Sequence, residues 1–113
     1  MFCLATHNNP HLLSCRVRGN QALARDYYKL TINCPPIASD AEPGQFVMVY
    51  LPDLYHYYLP RPFSIFKSDP GEGNIEILIR LVGFGTEVLS LVHPGQDLRL
   101  LGPLGNAFPQ PGP

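Results

Sequence analysis

The sequence predicts an all-β fold: a small, closed or nearly closed barrel of six antiparallel strands, with one short helix between the fifth and sixth. Thirteen prolines and ten glycines in 113 residues divide the chain into short segments, as expected for a fold with frequent turns. Most of these segments alternate apolar and polar residues, which is the period of a half-buried strand. Hydrophobic residues make up 45% of the chain and charged residues 15%, so a hydrophobic core can form.

Six segments carry the strand pattern, and each one ends at a turn signal. The fifth is the clearest, because Ile75, Ile77 and Ile79 alternate with Glu76, Leu78 and Arg80. Turn signals stand at Gly19-Asn20, Pro35-Pro36, Pro43-Gly44, Pro52, 69–74 and 102–105. The predicted strands are 13–18, 27–34, 45–51, 61–67, 75–82 and 97–101. Closing them into a barrel removes the exposed apolar edges on which aggregation begins.

The predicted helix covers residues 87–92, after the turn Gly83-Phe84-Gly85-Thr86. Thr86 is the predicted N-cap, and Glu87 lies in the first turn, where an acidic side chain is favoured. Pro94-Gly95 ends the helix.

Composition excludes several classes of function. The net charge of −1 gives no reason to expect nucleic acid or an anionic membrane as a partner. Cys3, Cys15 and Cys34 share no CxxC spacing and are predicted to be free thiols in a reducing compartment, with no metal site. Residues 1–10 show no signal peptide, and no apolar run is long enough to cross a bilayer. A cytoplasmic protein is therefore predicted.

The division predicted along the chain is an irregular tail at 1–11, a barrel at 12–105 and a linker at 106–113. The segment 53–60 is rich in tyrosine. Its rings are suited to stacking on a base, but a mobile loop with amphipathic side chains has the same composition.

The segment Arg61-Pro62-Phe63-Ser64 combines four groups that suit a nucleotide cofactor. Arginine offers a planar donor fork to phosphate oxygens. Proline stiffens the entry to the strand, phenylalanine presents a flat apolar face, and serine both donates and accepts hydrogen bonds. A generic Arg-Pro turn before a core strand fits the same four residues.

Two further features point to a phosphate site. Gly83 and Gly85 stand before the predicted helix, where glycine allows close approach to a ligand and free N–H groups attract anions. Arg80 adds a second cation on the outward face of its strand. The turn is neither a Walker loop nor a dinucleotide-binding fingerprint. A tight strand-to-helix turn and a solubilising arginine are the alternatives.

Four motifs in this order resemble the FAD-binding domain of the ferredoxin reductase-like flavoproteins, and most of all the electron-transfer subunits of dihydroorotate dehydrogenases of the B type. The resemblance covers residues 12–108. The motifs are Pro43-Gly44-Gln45-Phe46, Arg61-Pro62-Phe63-Ser64-Ile65, Arg80 with Gly83-x-Gly85-Thr86, and Gly102-Pro103-Leu104-Gly105-Asn106-x-Phe108.

The resemblance implies a Greek-key barrel that binds FAD in extended form. Arg61 would hold the pyrophosphate, Phe63 would lie against the isoalloxazine, and Ser64 would hydrogen-bond its N5 edge. Gly85 and Thr86 would offer N–H and hydroxyl donors to the phosphates, and residues 78–80 would line the path from the ribityl chain to the adenosine. The predicted cofactor-binding residues are Arg61, Pro62, Phe63, Ser64, Leu78, Ile79, Arg80, Gly85 and Thr86.

The resemblance also implies a role in a larger enzyme. Such subunits pass electrons between an iron–sulfur centre and NAD through the flavin, beside a catalytic FMN-containing dehydrogenase subunit in a hetero-oligomer. [2Fe–2S] and NAD are expected in the full-length protein but not on this chain, which should be inactive alone. Pro60 stands where the family often has a second arginine. The FAD domain of a hydrogenase or sulfide-oxidising reductase subunit, or a cofactor-free β-barrel binding module, remains open.

Overall fold

The structure, a computed structural model, is a closed barrel of six antiparallel strands in the order β1-β2-β5-β4-β3-β6. It describes residues 10–51 and 60–105. The tyrosine-rich segment up to residue 59, the predicted tail up to residue 9 and the predicted linker lie outside the described residues. The elements are β1 His11–Ala22, β2 Tyr27–Asn33, α1 Pro35–Asp40, β3 Phe46–Tyr50, β4 Arg61–Asp69, β5 Asn74–Arg80, α2 Phe84–Ser90 and β6 Asp97–Leu104.

The alternation in the sequence fills the barrel interior. Each strand directs every second side chain inward, and the inward residues are mainly β-branched or leucine, which pack well on a pleated surface. In β5 the inward residues Ile75, Ile77 and Ile79 are fully buried, and β2 faces them with Leu30 and Ile32. The predicted six-stranded antiparallel barrel is therefore confirmed, and the strand order confirms its Greek-key connections.

The first strand differs from the prediction. Gly19-Asn20 is not a turn, because β1 continues to Ala22 and pairs with β2 from Arg16 to Ala22. The register shifts between Val17 and Gly19, so the glycine marks a bulge, which is a common reason for glycine inside a strand. The chain reverses at residues 23–26, where the backbone N–H of Leu23 donates to the carbonyl of Tyr27 at 2.9 Å.

The prediction of one helix was wrong, because a second helix, α1, follows β2 directly. From the sequence, Pro35 and Pro36 predict only the end of a strand. They occupy the first turn of α1, where the missing N–H groups have no intrahelical partner to lose. Ile37 and Ala38 are buried in the core cluster, so the six-residue helix is stabilised by the interior that it covers.

The predicted helix exists with different bounds. It begins at Phe84 after the N-cap Gly83, not at residue 87, and Thr86 is the third helical residue and not the cap. Strand β6 is also longer than predicted and continues to Leu104 through the expected turn. A Cβ atom on Gly102 would lie 2.7 Å from Cγ1 of Val47, so glycine is needed there for the close approach of β3.

The two helices cover opposite ends of the barrel. The α1 end carries the starts of β1, β3 and β5, and the α2 end carries the starts of β2, β4 and β6. Leu89 and Val92 reach the core from the α2 end. Neither helix described here has the length and apolar character needed to span a membrane.

Candidate functional site

The barrel wall opens between β4 and β5 at the α2 end. The last ladder pair between these strands there is Ile65–Ile77. Beyond it, β4 stays paired to β3 back to Arg61, and β5 stays paired to β2 as far as Arg80. We call residues 61–64 and 78–80, which form no ladder pair with each other, the β4–β5 opening. The strand residues of the predicted cofactor set are those that border this opening.

Strand alternation divides these residues between two faces. Pro62, Ser64 and Arg80 are exposed on the outer face, where Leu78 is half-buried. Phe63 points the other way and packs against the core while remaining partly accessible. The outer face therefore offers a hydroxyl, a cation and apolar surface side by side.

Ile79 belongs to the opening by position, but its side chain and backbone groups face away from it. Its side chain is fully buried in the core. Because the backbone N–H of Leu81 donates to Asp26 on the β2 side at 2.7 Å, the alternation of backbone groups along a strand directs those of Ile79 to β2 as well and those of Arg80 to the opening. Any contribution of Ile79 to a ligand site is therefore indirect, through the packing of its neighbours.

Arg61 lies against the first turn of α2 at the open end of this site. A Cβ atom on Gly85 would stand 2.7 Å from Nε, 3.1 Å from Nη2 and 3.3 Å from Cζ of Arg61. Gly85 is buried, so the absence of a side chain is what admits the guanidinium. The sequence predicts both residues as phosphate ligands although they lie far apart in the chain, and the fold brings them into contact.

Thr86 holds the turn that carries Gly85. Its hydroxyl accepts from the backbone N–H groups of Val82 at 2.9 Å and Gly83 at 3.1 Å, and it donates to the carbonyl of Gly83 at 3.0 Å. The single hydroxyl proton is thus used within the turn. Thr86 therefore positions the start of α2. Its donation to a phosphate stays a prediction, because the hydroxyl would have to give up its bond to the carbonyl of Gly83.

Arg80 and Arg61 lie at the same end of neighbouring strands. Arg80 is on the exposed outer face opposite Tyr27, whereas Arg61 shares the parity of Phe63 and turns toward α2. The structure therefore brings together Arg61 and the glycine turn. The convergence of both guanidinium groups on one diphosphate stays a prediction.

Sequence reasoning missed Asn20, which positions α2 from the far side. Its Nδ2 donates to the carbonyls of Ser90 at 2.8 Å and Val92 at 2.7 Å. Ser90 is the last residue of α2 and Val92 lies just beyond it, so neither carbonyl has an intrahelical donor. The only signal in the sequence was the Gly-Asn pair itself, and a turn explains that pair as well as a bulge does.

Taken together, the opening suits a dinucleotide with a flat ring system. A guanidinium and a close backbone suit phosphate oxygens. Phe63 and Ser64 offer a ring face and a hydrogen-bonding edge a few residues away.

The family comparison agrees with this geometry. The sequence pattern of the oxidoreductase FAD-binding domain matches residues 14–108. A dihydroorotate dehydrogenase B (NAD(+)) electron transfer subunit from Fusobacterium nucleatum is 35% identical over 94 residues, which are 83% of this chain and 36% of that protein. The corresponding subunit from Desulforamulus reducens is 40% identical over 91 residues, 80% of this chain and 35% of that protein. The chain thus spans about a third of the length of these relatives.

Solved structures show the same fold. An NADH-dependent reduced ferredoxin-NADP oxidoreductase, studied for flavin-based electron bifurcation, superposes with a TM-score of 0.78 and 28% identity over 84% of this chain and 34% of its own. A ferredoxin reductase of carbazole 1,9a-dioxygenase superposes with a TM-score of 0.79 and 24% identity over 95% of this chain and 32% of its own. The pattern match covers most of the chain, so the chain belongs to the oxidoreductase FAD-binding domain family.

Proposed function

We propose that this chain binds FAD along the β4–β5 opening, with the diphosphate at the α2 end. The observation that carries the proposal is the contact between Arg61 and Gly85, which places a permanent cation against a close backbone. Both groups favour an anion, and both stand next to the residues that suit the flavin.

The other residues take roles that their exposure allows. Ser64 has an exposed hydroxyl for the N5 edge of the isoalloxazine, and Phe63 has a partly accessible ring for its face. Arg80 is exposed at the end of β5 and would meet the phosphate or adenosine part. When bound, FAD supplies the redox chemistry, while these residues orient it and tune it by hydrogen bonding.

In the whole protein, the flavin would pass electrons between a [2Fe–2S] centre and NAD, beside an FMN-containing dehydrogenase subunit. This assignment rests on the likeness to dihydroorotate dehydrogenase B electron transfer subunits. Because the chain spans about a third of those proteins, the sites for NAD and the cluster would lie in sequence beyond this domain. The chain alone would then show little specific NADH oxidation. The cytoplasmic location stays a prediction.

The direct test is flavin retention by the purified chain. The protein is mixed with FAD, FMN or riboflavin, desalted, and examined for visible flavin bands, and each affinity is then measured by quenching of flavin fluorescence. FAD should be retained and should bind at least about tenfold more tightly than riboflavin, because only FAD carries the diphosphate.

Two results would contradict the proposal in different ways. Equal affinity for FAD and riboflavin would remove the diphosphate site at Arg61 but leave a flavin site. No retention of any flavin by the folded chain would favour a cofactor-free barrel that serves as a binding module.

A further inference from the structure

Two buried thiols face each other at the α1 end of the barrel, away from the β4–β5 opening. Strand β1 pairs with β2 in the register Arg16–Asn33 and Val17–Ile32. The ladder ends at Arg16–Asn33, and Cys15 and Cys34 are the next residues beyond that last pair. Both side chains belong to the core cluster, with 2% and 1% of their surface exposed.

The backbone of Cys34 shows that the pair is of the close, non-hydrogen-bonded type. Its N–H donates to the carbonyl of Gly73 at 2.8 Å, and its carbonyl accepts from Ala38 at 2.9 Å, so neither group bonds to β1. In such antiparallel pairs the Cα atoms are about 4.5 Å apart and the side chains approach most closely. That separation falls within the range of about 4.4–6.8 Å that disulfides span.

The two thiols interact with each other, and each also makes one weak hydrogen bond to the backbone. Each has one backbone acceptor at 3.7 Å, the carbonyl of Leu13 for Cys15 and that of Ile32 for Cys34. A hydrogen bond with Cys34 lowers the pKa of the Cys15 thiol, and the same bond together with burial raises the pKa of the Cys34 thiol.

A cavity lies beside the pair. It has a volume of about 330 Å³, and both cysteines are among the residues that line it. Arg16 and Asp97 border it and form an exposed ion pair at 2.9 Å. Small openings of this edge, of the kind that strand ends undergo, would expose the thiols.

We propose that Cys15 and Cys34 form a reversible cross-strand disulfide by exchange with a low-molecular-weight disulfide. The Cys15 thiolate attacks one sulfur of the reagent and releases one thiolate, which leaves a mixed disulfide on Cys15. Cys34 then loses its proton to the medium and attacks the Cys15 sulfur, which releases the second thiolate. Two protein thiols are oxidised to one disulfide, and one reagent disulfide is reduced to two thiols.

The bond would link β1 to β2 immediately before α1. It would restrict the unfolded chain between residues 15 and 34 and so raise the melting temperature. Because the pair lies at the end of the barrel opposite Arg61, FAD affinity should not change when the disulfide forms.

The test uses the full chain with Cys3→Ser, which leaves Cys15 and Cys34 as its thiols. The protein is equilibrated in glutathione redox buffers, its remaining thiols are alkylated, and the oxidised fraction is read from the intact mass. Trypsin should then yield residues 1–16 joined to residues 30–67, a product that separates on reduction. The same equilibration in denaturant gives the reference for an unstructured chain.

We expect the folded chain to form the disulfide at least about tenfold more favourably than the denatured chain, because the fold holds the sulfurs together. The melting temperature should rise on oxidation and return on reduction. The proposal would be overturned if the folded chain formed the disulfide no more favourably than the denatured chain. It would also be overturned if the oxidised form melted at a lower temperature than the reduced form. In Cys15→Ser and Cys34→Ser variants of the same chain, no intramolecular disulfide can form and the glutathione-dependent rise should vanish.

Discussion

The two ends of the barrel are built from the same strands but close in different ways. At the α1 end, β4 and β5 stay paired up to Asp69–Asn74. The hydroxyl of Ser68 donates to the carbonyl of Ala38 at 2.7 Å, so the helix is tied to β4. At the α2 end, the same two strands stop pairing at Ile65–Ile77, and a glycine and an arginine occupy the space beyond.

The two ends of the β4–β5 pair therefore differ in role: the α1 end contributes to stability, and the α2 end to binding. At the α1 end, the backbone N–H of Gly73 donates to the carbonyl of Asp69 at 2.8 Å, and the carbonyl of Gly73 accepts from the N–H of Cys34 at 2.8 Å. The α2 end leaves strand edges, a cation and a partly accessible aromatic ring facing a shared opening. Substitutions at the two ends should therefore have different effects on unfolding and on FAD binding.

The largest effects on unfolding free energy are expected from truncating the buried side chain that each helix packs into the core. Ile37 in α1 and Leu89 in α2 are both fully buried, so Ile37→Ala and Leu89→Ala should each cost about 2–5 kcal/mol of unfolding free energy. Urea unfolding followed by circular dichroism measures this loss. Among molecules that remain folded, only Leu89→Ala should also weaken FAD binding, because α2 carries Gly85. Equal effects of both variants on FAD affinity would contradict the division between the ends.

The next largest effect tests the cation of the opening. Arg61→Ala should raise the FAD dissociation constant 10- to 100-fold, about 1.5–3 kcal/mol for a charge-assisted contact. Its urea midpoint should change little, because Arg61 is not part of the core cluster. Arg99→Ala is the matched control, since Arg99 is exposed on β6 and should leave FAD affinity unchanged. A fluorescence titration that is the same for both variants would remove Arg61 from the site.

The fold was predictable wherever apolar and polar residues alternate along the chain with the two-residue period of a strand. The inward residues of β2 and β5 were assigned correctly because alternation of apolar and polar residues marks a strand with one buried face. Helix α1 was missed because six residues cannot show a helical period. Its two prolines are also ordinary turn signals, and only the packing of Ile37 into the core distinguishes this helix from a turn. The bulge at Gly19 was missed because a Gly-Asn pair has the same local chemistry in a turn and in a strand.

The site was less predictable than the fold, because contacts between distant segments decide it. Arginine and glycine were recognised as phosphate-binding types, but only the closed barrel brings Arg61 to Gly85. The family resemblance implies a continuous lining by residues 78–80, whereas strand alternation assigns the side chain of Ile79 to the core. Thr86 was read as a donor to a ligand, and its bonds to Gly83 and Val82 appear only once the turn is built.

A smaller effect should distinguish the two glycines of the turn. Gly85→Ala would place a Cβ atom 2.7 Å from Nε of Arg61, and the flexible arginine would move aside while the helix stays intact. FAD affinity should fall about three- to tenfold, or about 0.7–1.4 kcal/mol. Gly83→Ala is the matched control, because nothing lies within 4 Å of its Cβ position. If Gly83→Ala weakens FAD as much as Gly85→Ala does, the contact with Arg61 is not the cause.

The smallest effect should come from the hydroxyl that holds this turn. Thr86→Val keeps the shape of the side chain but removes the acceptor for two backbone N–H groups and the donor to Gly83, so unfolding should become easier by about 0.5–1 kcal/mol. Thr86→Ser keeps the hydroxyl and should recover most of that loss in urea unfolding. Both variants should then be titrated with FAD. If Thr86→Val lowers FAD affinity far more than it lowers stability, the hydroxyl bonds to the cofactor directly, and its role is not limited to positioning the start of α2.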